Sequence, residues 1–373
     1  MLYANGTHDS APALQELLDK GGIVTIDRPG TYLVGRTLVL HSNTRLVLAP
    51  GVILKAAPLS RCALIENEHF AGGGRDHDIE IVGGCFDGSC DEMGLDAVYE
   101  AKHRLDDPYS PTLFKGKLIR FAHIDRIALE KLTVKDPVSY GIQIGDVRGF
   151  VVRDLFFDYN HHFGTTDGVH INGPARDGVI ENLCGTTNDD MVSLTTYDEP
   201  HAEISLGEIE NIYIHNVTAD NGYSGIRLLS GEGYSLKNVH VDGLYGNYRH
   251  NGIVISNHNA RPGAVFFDNV VLENVHARKS YTPLGEDCFR YWEKNADKRA
   301  IIQTEGGARF GRLVMRHIYR REEAPTEAPL IQMSADTVVD HLVLEDVSQS
   351  AAEGIALSFT DIRAQIGTQK GQI

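Results

Sequence analysis

VIENLCGTTNDDMVSLT, residues 179–195, holds two short apolar phrases separated by a polar turn. VIENLCG (179–185) alternates apolar and polar positions around Asn182, and DMVSLT (190–195) alternates around Val192 and Leu194. Each is too short for a helix and too rich in Val, Ile and Leu for a loop, so each reads as a strand. Neither stands alone. The first phrase recurs as ALEKLTV, VVRDLFF, YIHNVTA, SLKNVHV, VLENVHA and LVLEDVS, with its polar third position at Lys131, Asp154, Asn216, Asn238, Asn274 and Asp346. The second recurs as YGIQIG, DGVHIN, SGIRLL and NGIVIS.

Lys131 to Asp154 spans 23 residues and Asn216 to Asn238 spans 22. Periods of this size mean stacked units, because one unit cannot bury its own apolar face. Coils of several short strands, separated by Gly and Asn, predict an all-β solenoid: a right-handed parallel β-helix. A leucine-rich repeat would need a regular LxxLxL frame, and a propeller four antiparallel strands per blade. Neither pattern is present. Upstream, APALQELLDKGG (11–22) places Ala13, Leu14, Leu17 and Leu18 on one face of a helix predicted over about residues 9–20, with Asp9 or Ser10 as N-cap. Such a helix caps the open end of the stack, which would otherwise leave a bare sheet edge. One domain over residues 1–373 is expected, with inserted loops at about 91–117 and 280–298.

The balance of 51 acidic against 35 basic residues gives a formal charge of −16. That argues against nucleic acid or an anionic membrane as partner, since both require a basic surface. No run of about 18 apolar residues occurs, so no membrane-spanning helix is expected. MLYANGTHDS at the start lacks the basic and apolar regions of a secretory signal. The expectation is a cytoplasmic protein, or a secreted one whose signal peptide the chain lacks. The five cysteines (Cys62, Cys85, Cys90, Cys184, Cys288) form no CxxC pair and read as reduced, mostly buried thiols.

Equivalent positions on successive coils stack about 4.8 Å apart. Aligning the second phrase on its first inward residue gives interior columns Ile142–Val169–Val192–Ile226–Ile253 and Ile144–Ile171–Leu194–Leu228–Ile255. Between them an outward row runs Gln143, His170, Ser193, Arg227, Val254. Just before the strand lie two further rows: Tyr140, Asp167, Asp190, Ser224, Asn251 and Ser139, Thr166, Asp189, Tyr223, His250. Asp190 therefore stacks on Asp167, with Asp189 beside it, on an outer face expected to be long and groove-like. Like charges at this distance push at least one pKa upward. A protonated acid beside ionised carboxylates is the equipment for glycoside hydrolysis.

His170, Arg227, Tyr223 and His250 lie in or beside these rows and are candidate substrate contacts. His161 and His162, in the loop before Asp167, are further candidates, and no ligand spacing supports a metal there. Trp292 is either a core residue under a long loop or a sugar-stacking platform. No metal and no cofactor is expected. The Asn column reads as structural, its stacked amides bonding from coil to coil.

At these residues the sequence resembles family 28 glycoside hydrolases, the polygalacturonase-like right-handed β-helices. That family carries an Asn-Thr-Asp element and, about one coil later, an Asp pair. TTDG (165–168) matches the first with Thr165 in place of Asn, and NDDMVSL (188–194) matches the second. The resemblance implies an inverting hydrolysis with Asp189 as proton donor, and with Asp167 and Asp190 holding and deprotonating the water. Two later elements depart from the family. Ser224 stands where Gly-His-Gly has its histidine, and Val254 and Ser256 stand where Arg-Ile-Lys has its cations. Arg227 is the candidate replacement for those cations. The function expected is cleavage of a pectin-like or related polysaccharide or oligosaccharide. The alternatives are a polysaccharide lyase on the same fold, or a tailspike- or adhesin-type carbohydrate-binding solenoid.

Overall fold

The computed structural model of the chain describes residues 1–95, 116–198, 204–231, 233–257, 266–289 and 296–371. Most of the first expected insert and the middle of the second, Trp292 included, lie outside the described residues. Within them, twenty-five strands join in one continuous parallel ladder, with one α-helix near the N-terminus. No described helix is long and apolar enough to cross a membrane.

The coils have three faces. On the first, Ile65, Ile119, Ile142, Val169, Val192, Ile226, Ile253, Ile302 and Ile331 pair in a single register. All nine are 0% exposed. β-branched side chains suit this position because they are stiff at χ1 and pack well on a pleated surface. The columns read from the sequence, and the stacking of Asp190 against Ser224, are thus the observed register.

Long strands such as Ile142–Asp158 and Val169–Thr186 run through all three faces without a break. They turn at single residues held at positive φ. Asp154 (59°), Asn182 (57°), Asn216 (55°), Asn274 (57°) and Asp346 (52°) make one corner. Asp177 (58°), Asn211 (58°), Asn238 (53°) and Asn269 (54°) make another. Asn and Asp are the side-chain-bearing residues that enter this region most easily.

Their amides climb from coil to coil. Asn182 donates to Asp154 at 2.9 Å and Asn216 to Asn182 at 2.9 Å. On the other corner Asn238 donates to Asn211 and Asn269 to Asn238, both at 3.1 Å. The single Asn column expected from the sequence is therefore two. Gly243, not Asn238, stands opposite Asn216, because His215 pairs with Asp242 and Val217 with Leu244. Both corners place a polar αL residue before an apolar one, so the same phrase fits either.

The helix, Ala11–Leu18, buries Ala11, Leu14 and Leu18 against the first coils, with Leu17 partly covered and Ala13 half-exposed. Ser10 occupies the cap position but turns its hydroxyl to the Tyr3 carbonyl at 3.0 Å. Asp9 accepts instead from the Ala11 amide (2.9 Å) and the Gly35 amide (3.0 Å). All five cysteines are free, but only Cys90 is buried. Cys184 is exposed because it sits on the outward side of the third face, level with the exposed Phe156.

The first face is not an open groove. In its outward row Gln143, His170, Ser193 and Val254 are at most 1% exposed. Later chain covers it: a side chain at Gly145 would strike Ile204 and Ser205, and one at Gly173 would strike the Gly207 backbone.

If the corners carry the bend, Asn182→Ala should cost about 1–2 kcal/mol, and Asn182→Gly clearly less. Urea unfolding of both variants measures this, and equal losses would assign the effect to the amide ladder instead.

Candidate active site

Each coil reaches the first face from the third through a connection of varying length; Asp167, Asp189, Tyr223 and His250 sit on these connections, and Asp190, His170 and Arg227 on the strands that follow. Backbone bonds hold them in register. Gly141 N donates to Asp167 O at 2.8 Å and Gly168 N to Asp190 O at 2.9 Å. The result is a compact acidic group: one oxygen from each of Asp167, Asp189 and Asp190 lies within 4.8 Å of the other two.

The three carboxylates have different partners. Asp167, buried, receives the Asp190 amide at 3.1 Å and faces His170 Nδ1 at 2.6 Å. His170 is itself buried, stacked on Tyr140 with ring centroids 4.2 Å apart. Gln143 Nε2 donates to Asn172 Oδ1 at 2.6 Å, which turns Asn172 Nδ2 toward His170 Nε2 at 3.4 Å. An imidazole that accepts at Nε2 carries its proton on Nδ1 and donates it to Asp167. Burial lowers the His170 pKa to about 4, so the ring is neutral at pH 7.

Asp190, also buried, takes Arg227 Nε on one oxygen at 2.7 Å. Its other oxygen, Oδ1, is buried with no hydrogen-bond partner. Burial alone would depress the Arg227 pKa, but the Asp190 and Asp189 charges outweigh it and hold the guanidinium above its usual range.

Asp189 is half-buried, and among the described residues no hydrogen bond reaches its carboxylate. Burial first, then the charges of Asp167 and Asp190, push it well above the usual carboxylate range. Asp167 is driven the same way by burial and by Asp190. Three carboxyls this close share at least one proton near neutrality. His170 and an amide serve Asp167, and Arg227 serves Asp190, whereas no donor among the described residues serves Asp189. It is the acid that faces outward.

Tyr223 and His250 flank this group, their rings stacked at 4.7 Å and 12°. Burial, then the Asp189 charge, raises the Tyr223 hydroxyl above its usual range. Burial, then the Arg299 charge, holds His250 neutral, with its Nδ1 unpartnered. The other two histidines turn elsewhere. His161 Nε2 meets Thr186 Oγ1 at 3.0 Å, and His162 Nδ1 meets Asp91 at 2.6 Å.

The sequence reading passed over several participants. Tyr140 shares the Asp167 row and packs on His170, a role that spacing does not signal. Asp198 follows the second phrase in a stretch with no repeat, yet its charge acts on Asp167, Asp189, His170 and Arg227. Phe289, in the second insert, lies against Gly164 and donates its amide to His161 O at 2.8 Å. Lys279 is buried, its ammonium gripping carbonyls of Arg249, His250, Ala296 and Arg299, the last two at 2.9 and 3.2 Å. It ties the connection bearing His250 to the end of the insert.

Glu68, His69 and Asp76 form the other described group with metal-ligand spacing. Both Asp76 oxygens are already taken, by Ser42 and His69 on one side and Asn67 and the His69 amide on the other. That group is a hydrogen-bonded corner. The aspartate trio has free ligand atoms, but Arg227 already supplies a positive charge to it.

No known protein family and no curated protein matches the sequence. Solved structures do match over nearly the whole chain. An exopolygalacturonase from Thermotoga maritima is 15% identical with a TM-score of 0.59, over 96% of this chain and 90% of that one. The A-module of mannuronan C-5 epimerase AlgE6 from Azotobacter vinelandii is 13% identical with a TM-score of 0.58, over 98% and 97%. PfbA, a surface adhesin of Streptococcus pneumoniae, is 16% identical with a TM-score of 0.55, over 98% and 91%. The shared property is the right-handed parallel β-helix. At such identities the likeness concerns the fold alone.

Because the Asp189 pKa is raised in the fold, the group costs nothing below its unfolded value of about 3.9 and destabilises as pH climbs toward the folded one. Asp189→Asn is therefore expected to raise Tm at pH 7 and to leave it unchanged at pH 3.5. Calorimetry at both values checks this; an equal gain at both would mean that the charge is not the cause.

Proposed function

We propose that the chain is a glycoside hydrolase of the polygalacturonase-like kind, acting on a polysaccharide or oligosaccharide. One observation carries the reading: of three carboxyls whose oxygens lie within 4.8 Å of one another, Asp189 is the most exposed and the one that no donor among the described residues reaches, so the shared proton is assigned to it. Asp189 donates that proton to the glycosidic oxygen as the bond breaks. Oxygens within 4.8 Å of each other are the span that one water bridges, at about 2.7 Å to each side. Such a water, against the free Asp190 Oδ1 and beside Asp167, is the nucleophile, and the two carboxylates take its proton. Arg227 and His170 keep those carboxylates in place, so that neither attacks the sugar directly.

The nearest oxygens lie closer than the roughly 6.5–9.5 Å separating acid from base in most inverting enzymes. Inversion here requires Asp189 to turn outward to meet the leaving oxygen. Covering of the first face by residues 204–207 supports oligosaccharides or chain ends as substrates over the middle of a long polymer.

Reducing-sugar release from pectic and neutral oligosaccharides and polysaccharides tests the reading. Loss of a general acid costs about a hundredfold or more, so Asp189→Asn should fall by that much while remaining folded. An unsaturated product absorbing in the ultraviolet would make the protein a lyase. Binding without release from any substrate would make it a carbohydrate-binding solenoid.

Arg227 lowers the pKa of both Asp167 and Asp189. Removing it as Arg227→Gln should slow the reaction and move the alkaline limb of the kcat/KM profile to higher pH, because Asp189 then keeps its proton longer. A limb that stays in place or moves down would take the proton-donor role away from Asp189.

A further inference from the structure

The third face carries a second constellation, towards the C-terminal end of the stack. One outward row runs Tyr245, His276, Tyr319, Ser348. Two residues further along each strand, a parallel row runs Asn247, Arg278, Arg321, Ser350. A cavity of about 390 Å³ opens along these rows, and no carboxylate lines it. On a chain with a formal charge of −16, that is an uncommon piece of surface.

The ladder pairs His276 with Tyr319 and ends there; Arg278 and Arg321 each follow two residues later on neighbouring coils, and both line the cavity. Like charges facing each other across adjacent strands are destabilising. Several arginines on the other outer faces are paired, Arg120 with Glu66 (2.7 Å), Arg126 with Asp78 (2.6 Å) and Arg153 with Glu130 (2.9 Å), although among the described residues Arg148, opposite Arg176, is not. Among the described residues neither Arg278 nor Arg321 has an ion pair or hydrogen bond. Arg320 points inward between them, bonding the Ala328 carbonyl (2.8 Å) and Gln349 (2.7 Å), with buried Glu322 3.8 Å from its Nε. At the cavity's edge Asp346 is engaged by the Tyr319 hydroxyl and by His317.

We propose that this cavity is a second carbohydrate site, separate from the aspartate trio, that binds an acidic glycan. Arg278 and Arg321 take the carboxylates of uronate residues, a planar fork to which guanidinium is matched bidentately. Tyr319 and His276, with centroids 4.8 Å apart at 67°, present ring surface to the sugar. Ser348 and Ser350 add hydroxyl partners on the next coil. A bare inorganic anion would need only the two arginines. Rings and hydroxyls that repeat along the coil axis suit a chain of sugars lying parallel to it.

The test reads binding, not turnover, so its failure would leave the reading of the trio untouched. In an Asp189→Asn background, trimers of galacturonate, glucuronate and mannuronate and their neutral counterparts are titrated by calorimetry. At least one uronate trimer should bind, and Arg278→Ala with Arg321→Ala should weaken it tenfold or more, with the melting temperature kept. Arg321→Glu alone should reproduce the loss, and neutral trimers should not bind at this site. Binding that survives both substitutions belongs to the trio; the proposal falls if no uronate trimer binds, if removing both arginines eliminates no binding component, or if neutral trimers show an equal arginine-dependent component. Displacement of the trimer by sulfate at the trimer's own affinity would reduce the cavity to a simple anion site and also overturn it.

Discussion

In a parallel β-helix the backbone ladder chooses each side chain's neighbours. Once Val169 pairs with Val192 and Val192 with Ile226, every preceding residue inherits a position above or below its counterpart. A slip of one residue would send the whole interior column outward, so the hydrophobic core itself enforces the stacking. Asp190 lies against Asp167 for this reason. No local preference of the aspartates brings them together, since like charges separate when free to do so. The core supplies the free energy that holds them.

That enforced contact sorts three chemically identical side chains into different states. Asp167 is served by an amide and a neutral imidazole, and Asp190 by a guanidinium, while no donor among the described residues reaches Asp189. Burial strengthens every one of these interactions and makes an unserved charge costly. The same arrangement that loads the fold with electrostatic strain at pH 7 is what the proposed hydrolysis would draw on for its acid and its base. Stability and reactivity are in opposition at this point on the chain, as they commonly are where carboxyls are gathered.

Much of this could be read from the residues, because what repeats is what the ladder fixes. Strand phrases, interior columns, the stacking of Asp190 against Ser224, and the proximity of the trio all follow from period and alternation. What escaped the reading lacks a period. Residues 204–207 and Phe289 come from connections without repeats, so the covering of the first face had no signature. The role of Tyr140 depends on a ring stacked on His170, which spacing alone does not announce. Where two corners use one chemistry, the repeat misled: Asn238 resembles Asn216 in its phrase and belongs to another edge of the coil. The partners of His161 and His162, Thr186 and Asp91, are likewise not set by any repeat.

The ladder also governs how such a chain can grow. Each coil contacts only its neighbours, so a whole coil gained or lost at either end leaves the trio intact, and the arginine rows of the third face could lengthen in the same way. A coil inserted between Asp167 and Asp190 would be different, because it would part the two by one further strand spacing, and one inserted between Asp190 and Arg227 would break their ion pair. By this logic length is free to change at the ends of the stack, while the consecutive coils from Tyr140 to Arg227 must be kept together as one block.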